Sequence, residues 1–291
     1  MIDENIFNKL KLSLKKSWLK KNDTSFNSSS VAITQNSNYY YSGILESKTH
    51  LLDISSEQSS LVLAVSNKDP KVKEIITLLD GEFMLDPLIL KLIIDHIRRT
   101  DVDIKYSIYD LNKNKLFSTN SVYNFLSFYN PQIKELEKIK SWNKKSNKVV
   151  LNKDKSIKEQ LYSNAVMGGE THFSSDSKTC YGASVLTENN IYFGGVYSSF
   201  DKRLSLHAET VGVINAIMND DINIKAIGLV SNKFVGDNLP QMCGCCRQFL
   251  IEIMQKTSIP IKVYCFSFNN KKCFEINLDD YLPYSWDSNL K

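Results

Sequence analysis

Residues 31–43, VAITQNSNYYYSG, and residues 184–195, SVLTENNIYFGG, share one pattern: two short runs rich in β-branched and aromatic residues, turning at polar Asn, Ser or Glu as a hairpin does. Matching Gly43 to Gly195 sets an offset of 152 (195 minus 43), which also matches Glu57 to Glu209 and Ile75 to Ile227. Further on the offset is 157. It then aligns DIKYSIYDLNKNKLF (103–117) with PIKVYCFSFNNKKCF (260–274), placing Ile104 on Ile261, Asn112 on Asn269 and Phe117 on Phe274. A steady offset over long runs with one five-residue slip is the mark of a duplicated folding unit. The 291 residues accommodate two such units of about 130 residues each, whereas a single core stops growing near this total length.

Each half opens with apolar residues at helical spacing, NIFNKLKLSLKKSWLKK and SIKEQLYSNAV, and the hairpin follows. In the second half HAETVGVINAIM (207–218) sets Val211, Ile214 and Ile217 on one helical face, and IKAIGLVS (224–231) reads as an apolar strand. A helix CRQFLIEIMQK and a strand IPIKVYCFSF (259–268) complete the unit. Strands alternating with helices predict a mixed sheet covered on both faces, an α/β/α sandwich. The predicted domains are residues 1–131 and 155–291, joined by a polar linker over 132–154. Residues 132–155 carry eight lysines against Glu135, Glu137 and Asp154, a net +5, with Trp142 as the one aromatic. Stacking aromatics between the charges are missing, so this reads as a solvated connector and not as a nucleic-acid groove.

Hydrophobic residues at 42% and charged residues at 23% are the balance of a globular chain with a proper core. The opening MIDENIFNKL lacks the basic and apolar regions of a secretory signal, and PLILKLIIDHI (87–97) is too short and too charged to span a membrane. Six cysteines in such a chain point to reduced thiols, a cytoplasmic location, and metal binding or catalysis in place of disulfides.

Three of those cysteines fall in QMCGCCRQFL (241–250). A catalytic zinc takes three protein ligands and keeps one position open, and His207 with a Cys-x-x-Cys pair supplies such a set. Cys243 and Cys246 have the two-residue gap that lets two thiolates converge; Cys245, adjacent to Cys246, is a spectator. Both elements stand where helices begin, which favours thiolates. Glu209 then lies near the ion without being needed as a ligand, and suits proton transfer. A His-x-Glu followed by Cys-x-x-Cys is the pattern of zinc nucleobase deaminases.

HAE with CGCCRQ resembles the cytidine deaminase family, as do YGASVLT (181–187) and the closing INLDDYLPYSW (276–286), so that the likeness covers about residues 155–291. The resemblance implies two cytidine-deaminase-like α/β/α sandwiches in tandem, each on a mixed five-stranded sheet. It implies Zn2+ on His207, Cys243 and Cys246, with Glu209 as the catalytic proton carrier. The backbone of Ala208 would hold the base, and Arg247 and Gln248 would surround the thiolates. The activity implied is hydrolytic deamination of cytidine or deoxycytidine in pyrimidine salvage, by a homodimer with a small-molecule nucleoside substrate and neither a nucleic-acid nor a membrane partner.

The first half resembles the same fold without the metal: Ser55 stands for His207, Asp86 and Ile89 stand for the cysteines, and Glu57 is kept. Its implied role is in packing. The family's ribose-binding Asn-x-Glu falls on GGVYSSF, which puts Val196 at the Asn and Ser198 at the Glu position. Thr179 stands where the family stacks a Phe, with Phe173 nearby. These departures leave the metal chemistry intact and open two alternatives, a deaminase of a modified aminopyrimidine nucleoside of the blasticidin S type, and a catalytically idle zinc scaffold.

Overall fold

The computed structural model describes residues 2–16, 27–47, 52–126, 146–173, 179–199, 202–269 and 272–282. The chain divides into two compact units, Met1–Lys144 with Ser199–Leu204, and Lys145–Ser198 with Ser205–Lys291. Most of the expected linker, residues 132–145, lies outside the described residues, as do 174–178 and the final 283–291.

In the first unit α1 (Glu4–Leu14) precedes β1 (Asn27–Thr34), β2 (Tyr39–Gly43), α2 (Ser56–Ser66), β3 (Val72–Asp80), α3 (Pro87–Thr100), β4 (Lys105–Asp110), β5 (Lys115–Thr119) and a short α4 (Val122–Leu126). The strands form one sheet in the order β2-β1-β3-β4-β5, parallel only between β3 and β4. Alternation along β1 serves both faces. Val31 and Ile33 pack with Phe7 and Leu10 of α1, while Ser28 and Ser30 reach Ser56 of α2 on the other side.

The second unit runs β6 (Lys148–Val150), α5 (Ile157–Gly169), β7 (Tyr181–Leu186), β8 (Asn190–Gly195), α6 (Ala208–Met218), β9 (Ala226–Ser231), α7 (Gly244–Thr257), β10 (Lys262–Phe266), β11 (Cys273–Asn277) and α8 (Leu278–Tyr281). Its order β8-β7-β9-β10-β11 repeats that of the first sheet, again with one parallel pair, β9 with β10. The tandem α/β/α sandwiches expected from the sequence are the observed fold. One detail differs: the second sheet has six strands instead of five, because Lys148–Val150 pairs antiparallel with the edge of β8. β-branched Val149 and Val150 suit that edge, so residues expected within the linker belong to the second sheet.

An aspartate ties each hairpin, Asp69 buried and Asp221 half-buried. Asp69 accepts hydrogen bonds from Thr34, Asn36, Asn38 and Tyr40, and Asp221 from Thr187, Asn190 and Tyr192. Burial raises the Asp69 carboxyl, and its four hydrogen bonds more than offset this, leaving it below its usual range. Thr34 to Thr187 is a step of 153 and Tyr40 to Tyr192 one of 152, so the first hairpin turn is one residue longer, with Ser37 at φ 58°. In the second unit glycine lets helix and sheet meet: a Cβ on Gly182 would lie 2.0 Å from Ala165 O of α5, and one on Gly194 would lie 2.5 Å from Gly212 N of α6.

Candidate metal centre

α6 and α7 begin at the same end of the second unit's core, and their first residues carry the site. α6 is buried along ten of its eleven residues, from Ala208 to Met218, which fixes its N-terminus firmly. His207 is its N-cap by backbone conformation, with no side-chain cap hydrogen bond, so the imidazole is available for other work. Cys243 is the N-cap of α7, and its Sγ lies 3.4 Å from Cys246 N.

These two helix starts bring the three sequence-predicted ligands together. His207 Nδ1 is 3.3 Å from Cys243 Sγ and 3.5 Å from Cys246 Sγ, and all three donor atoms lie within 4.8 Å of one another. Tetrahedral bonds of ordinary length to one zinc-like ion would separate a nitrogen and a sulfur ligand by roughly 3.6 Å, so the donor set fits such an ion in type and in spacing. Among the described residues this is the one cluster of His, Cys or carboxylate donors with that geometry. Cys245, exposed, is outside it.

The two thiols are driven apart in acidity. Hydrogen bonding from Cys246, and then from His207, holds Cys243 far below its usual range, at about 3, while Cys246 is raised by its bond to Cys243 and by burial. His207 is raised by its contact with Cys243. Glu209, 5% exposed, has its carboxyl pushed above the usual range by burial, the largest influence on it. A carboxyl so placed exchanges protons nearer neutral pH than an exposed one.

Ala208 is fully buried at the first position of α6. Val196 and Ser198 follow β8 and bracket Phe173: Phe173 N donates to Val196 O and Ser198 N to Phe173 O, both at 2.8 Å. Tyr197 between them pairs with Leu206, the residue before His207, so this segment runs close to the cluster in the backbone. Ser198 is buried, and Phe173, 1% exposed, stacks on Tyr197 at 5.0 Å. Phe173 is therefore packed in the core and not set out as a platform.

Arg247 is tied to the segments flanking α7. Its Nε donates to Met242 O at 2.8 Å and its Nη1 to Tyr281 O at 3.0 Å, with the guanidinium 3.9 Å from the Tyr281 ring centre. Tyr281 OH in turn donates to Gln241 Oε1 and receives Met242 N. This clamp fixes the loop that delivers Cys243. Tyr281 falls in the family-like closing segment 276–286 and Gln241 just before the cysteines, but nothing in the sequence pairs either with Arg247. Gln248 Nε2 donates to Glu252 Oε1 at 3.3 Å, one turn along α7. Of the remaining cysteines, Cys265 is buried and raised to about 12 by that burial, whereas Cys180 is half-buried and Cys273 exposed.

No protein-family model matches the chain, and no curated protein matches it either. Similar solved structures include the cytidine deaminase from Burkholderia pseudomallei, at 20% identity and a TM-score of 0.39, covering 44% of this chain and 98% of that one. The cytidine deaminase from Mycobacterium tuberculosis is 18% identical with a TM-score of 0.36, over 46% of this chain and 99% of its own. That from Mycobacterium leprae is 17% identical with a TM-score of 0.35, over 44% and 99%.

Proposed function

We propose that the second unit is a zinc-dependent hydrolase that deaminates cytidine or deoxycytidine to the uridine nucleoside and ammonia. The observation that carries this reading is the convergence of His207, Cys243 and Cys246 beside the buried Glu209. Zinc, when bound, supplies the Lewis acidity that lets water act as a nucleophile near neutral pH. Glu209 takes the proton of the water that adds to C4 of the ring and gives it to N3, then takes the remaining proton of the hydroxyl on C4 and passes it to the departing amine as the carbonyl forms. The Ala208 backbone orients the base, Arg247 and Gln248 support the helix that bears the cysteines, and Val196 and Ser198 border the sugar. With neither an amide nor a carboxylate at those two positions, the sugar end is weakly specified, which favours as second reading a modified aminopyrimidine nucleoside of the blasticidin S type.

The first unit, by the same proposal, is a metal-free duplicate. The shared strand order and the paired aspartate ties support a common origin. So do the helix starts: Ser55 and Asp86 cap α2 and α3 where His207 and Cys243 stand at α6 and α7, and Ile89 takes the place of Cys246. We place the first domain at 1–131 and the second, expected over 155–291, from the edge strand Lys148–Val150 onward, the assembly as a homodimer, and the reaction in cytosolic pyrimidine salvage, where six free thiols are stable. No described helix is long and apolar enough to cross a membrane.

Metal analysis of purified protein is expected to give about one zinc per chain, and incubation with cytidine, deoxycytidine and blasticidin S to release ammonia from at least one. Zinc without turnover of any of the three would favour the idle scaffold. Glu209→Gln is expected to keep its zinc and lose roughly 100- to 10,000-fold in turnover; undiminished turnover would remove Glu209 from the mechanism.

A further inference from the structure

The first unit holds a cavity of about 280 Å³, near the lower end of the range for small-molecule sites, at the N-termini of α2 and α3. Its buried end carries Glu57, 6% exposed. Its walls are Leu79, Ile89, Ile108 and Leu204, and its mouth holds the exposed apolar side chains Phe83, Met84 and Leu88. Asp53 and Asp86 also line it, and no Lys or Arg is among its described lining residues. The cavity therefore offers three carboxylates on an apolar surface.

The hydrogen bonds around Glu57 show which oxygen is open to a ligand. Thr77 Oγ1 donates to Glu57 Oε1 at 2.8 Å and Tyr106 OH donates to the same oxygen at 2.9 Å. Burial, and then the neighbouring Glu57, push the Tyr106 hydroxyl well above its usual pKa, so it stays a donor. Since Thr77 spends its proton on Glu57, the 2.8 Å contact with Ser30 Oγ requires Ser30 to donate. Ser56 then donates to Ser30 across 2.7 Å, and Ser28 to Ser56 across 2.9 Å. Each hydroxyl has one proton, and this chain uses all four. Ser56 keeps none for Glu57 Oε2, 3.3 Å away. Oε1 is saturated and Oε2 is the acceptor left over.

We propose that this cavity binds a small protonated amine on an apolar body, with the ammonium donating to Glu57 Oε2. A forked guanidinium or amidine needs both carboxylate oxygens and is disfavoured by the filled Oε1; a point donor needs one. Ser55 and Asp86 line the same cavity as further acceptors for the ammonium. The site is separate from the metal chemistry of the second unit and does not depend on it.

Titration of the full chain with phenethylamine, followed by methyl NMR, tests this. The expected result is saturable binding of one equivalent, with shifts at Met84, Ile89 and Ile108. Phenylethanol, of the same shape without the charge, is expected to bind at least about 10-fold more weakly. Glu57→Gln retains an acceptor for Thr77 and Tyr106, and is expected to show the same loss for the amine. Equal binding of alcohol and amine overturns the proposal on the unmodified protein alone, whatever the variant's folding. Absent saturation, or shifts gathered at Ile214 and Met242 of the second unit, overturns it as well.

Discussion

Two histidines in this chain do opposite things with burial. His207 stands at a helix start among sulfurs and is raised by its contact with Cys243, whereas His96 is fully buried in α3 and lowered to about 4. Desolvation is the dominant cause for His96, reinforced by Arg99 and partly opposed by the 2.6 Å hydrogen bond between Nε2 and Pro70 O. At pH above its ordinary value of 6.5 the ring is neutral in both folded and unfolded chains. Between 6.5 and about 4 only the unfolded chain binds the proton, so stability falls as pH drops, by about 3 kcal/mol below both values. Urea midpoints compared at pH 7 and near pH 4 are expected to fall further in the wild type than in His96→Gln, whose amide still donates to Pro70. Equal losses would relieve His96 of this role.

At the scale of elements, the four helix starts show how one scaffold serves two purposes. Ser55 accepts from Gln58 N and Asp86 from Leu88 N, ordinary caps worth about 1 kcal/mol each. At the equivalent positions His207 makes no cap hydrogen bond and Cys243 a long one from Cys246 N, so local helix stability is given up to aim donor atoms at a common point. The clamp of Arg247 on Met242 O, Tyr281 O and the Tyr281 ring compensates by holding the loop before α7. Lysine cannot reproduce two directed bonds and a stacked plane. Arg247→Lys is therefore expected to fold and to lose about 10- to 100-fold in zinc affinity, measured by competition with a chromogenic chelator. An unchanged affinity would mean that the loop is positioned without the clamp.

At the scale of the whole molecule, the proposed zinc would draw all its ligands from the second unit and is expected to stabilise that unit alone. Removing zinc with a chelator is expected to raise amide exchange in α6 and α7 while β1 and β3 keep their protection. The loss is about 3 kcal/mol relative to zinc at a hundredfold over its dissociation constant. Exchange rising equally in both units would show that they unfold as one. The cluster of His207, Cys243 and Cys246 was legible in the sequence because coordination chemistry demands particular atoms at particular spacings, and Cys-x-x-Cys at a helix start leaves few alternatives. The tandem architecture was legible for a related reason: a repeated alternation of strand and helix leaves a repeated pattern of apolar residues. Neither rule reaches the edge strand Lys148–Val150, which exists because β8 has an open edge for it.

The sequence by itself determined the two α/β units, and it named His207, Cys243 and Cys246, whose donor atoms the fold brings together, with Glu209 two residues after the histidine. It could not reveal that NSSSVAIT is buried along its whole length, since three consecutive serines look solvated until their partners are known. Folding supplies those partners from distant positions: Leu10 for Ser29, Ser56 for Ser28 and Ser30, and Thr77 for Ser30. Nor could it reveal that Leu204, close in sequence to His207, lines the cavity above Glu57, its carbonyl accepting from Gln58 at 2.6 Å. Spacing along the chain encodes what local geometry and ligand chemistry require; only tertiary structure decides which buried polar groups satisfy one another and which, like Glu57, also line a cavity.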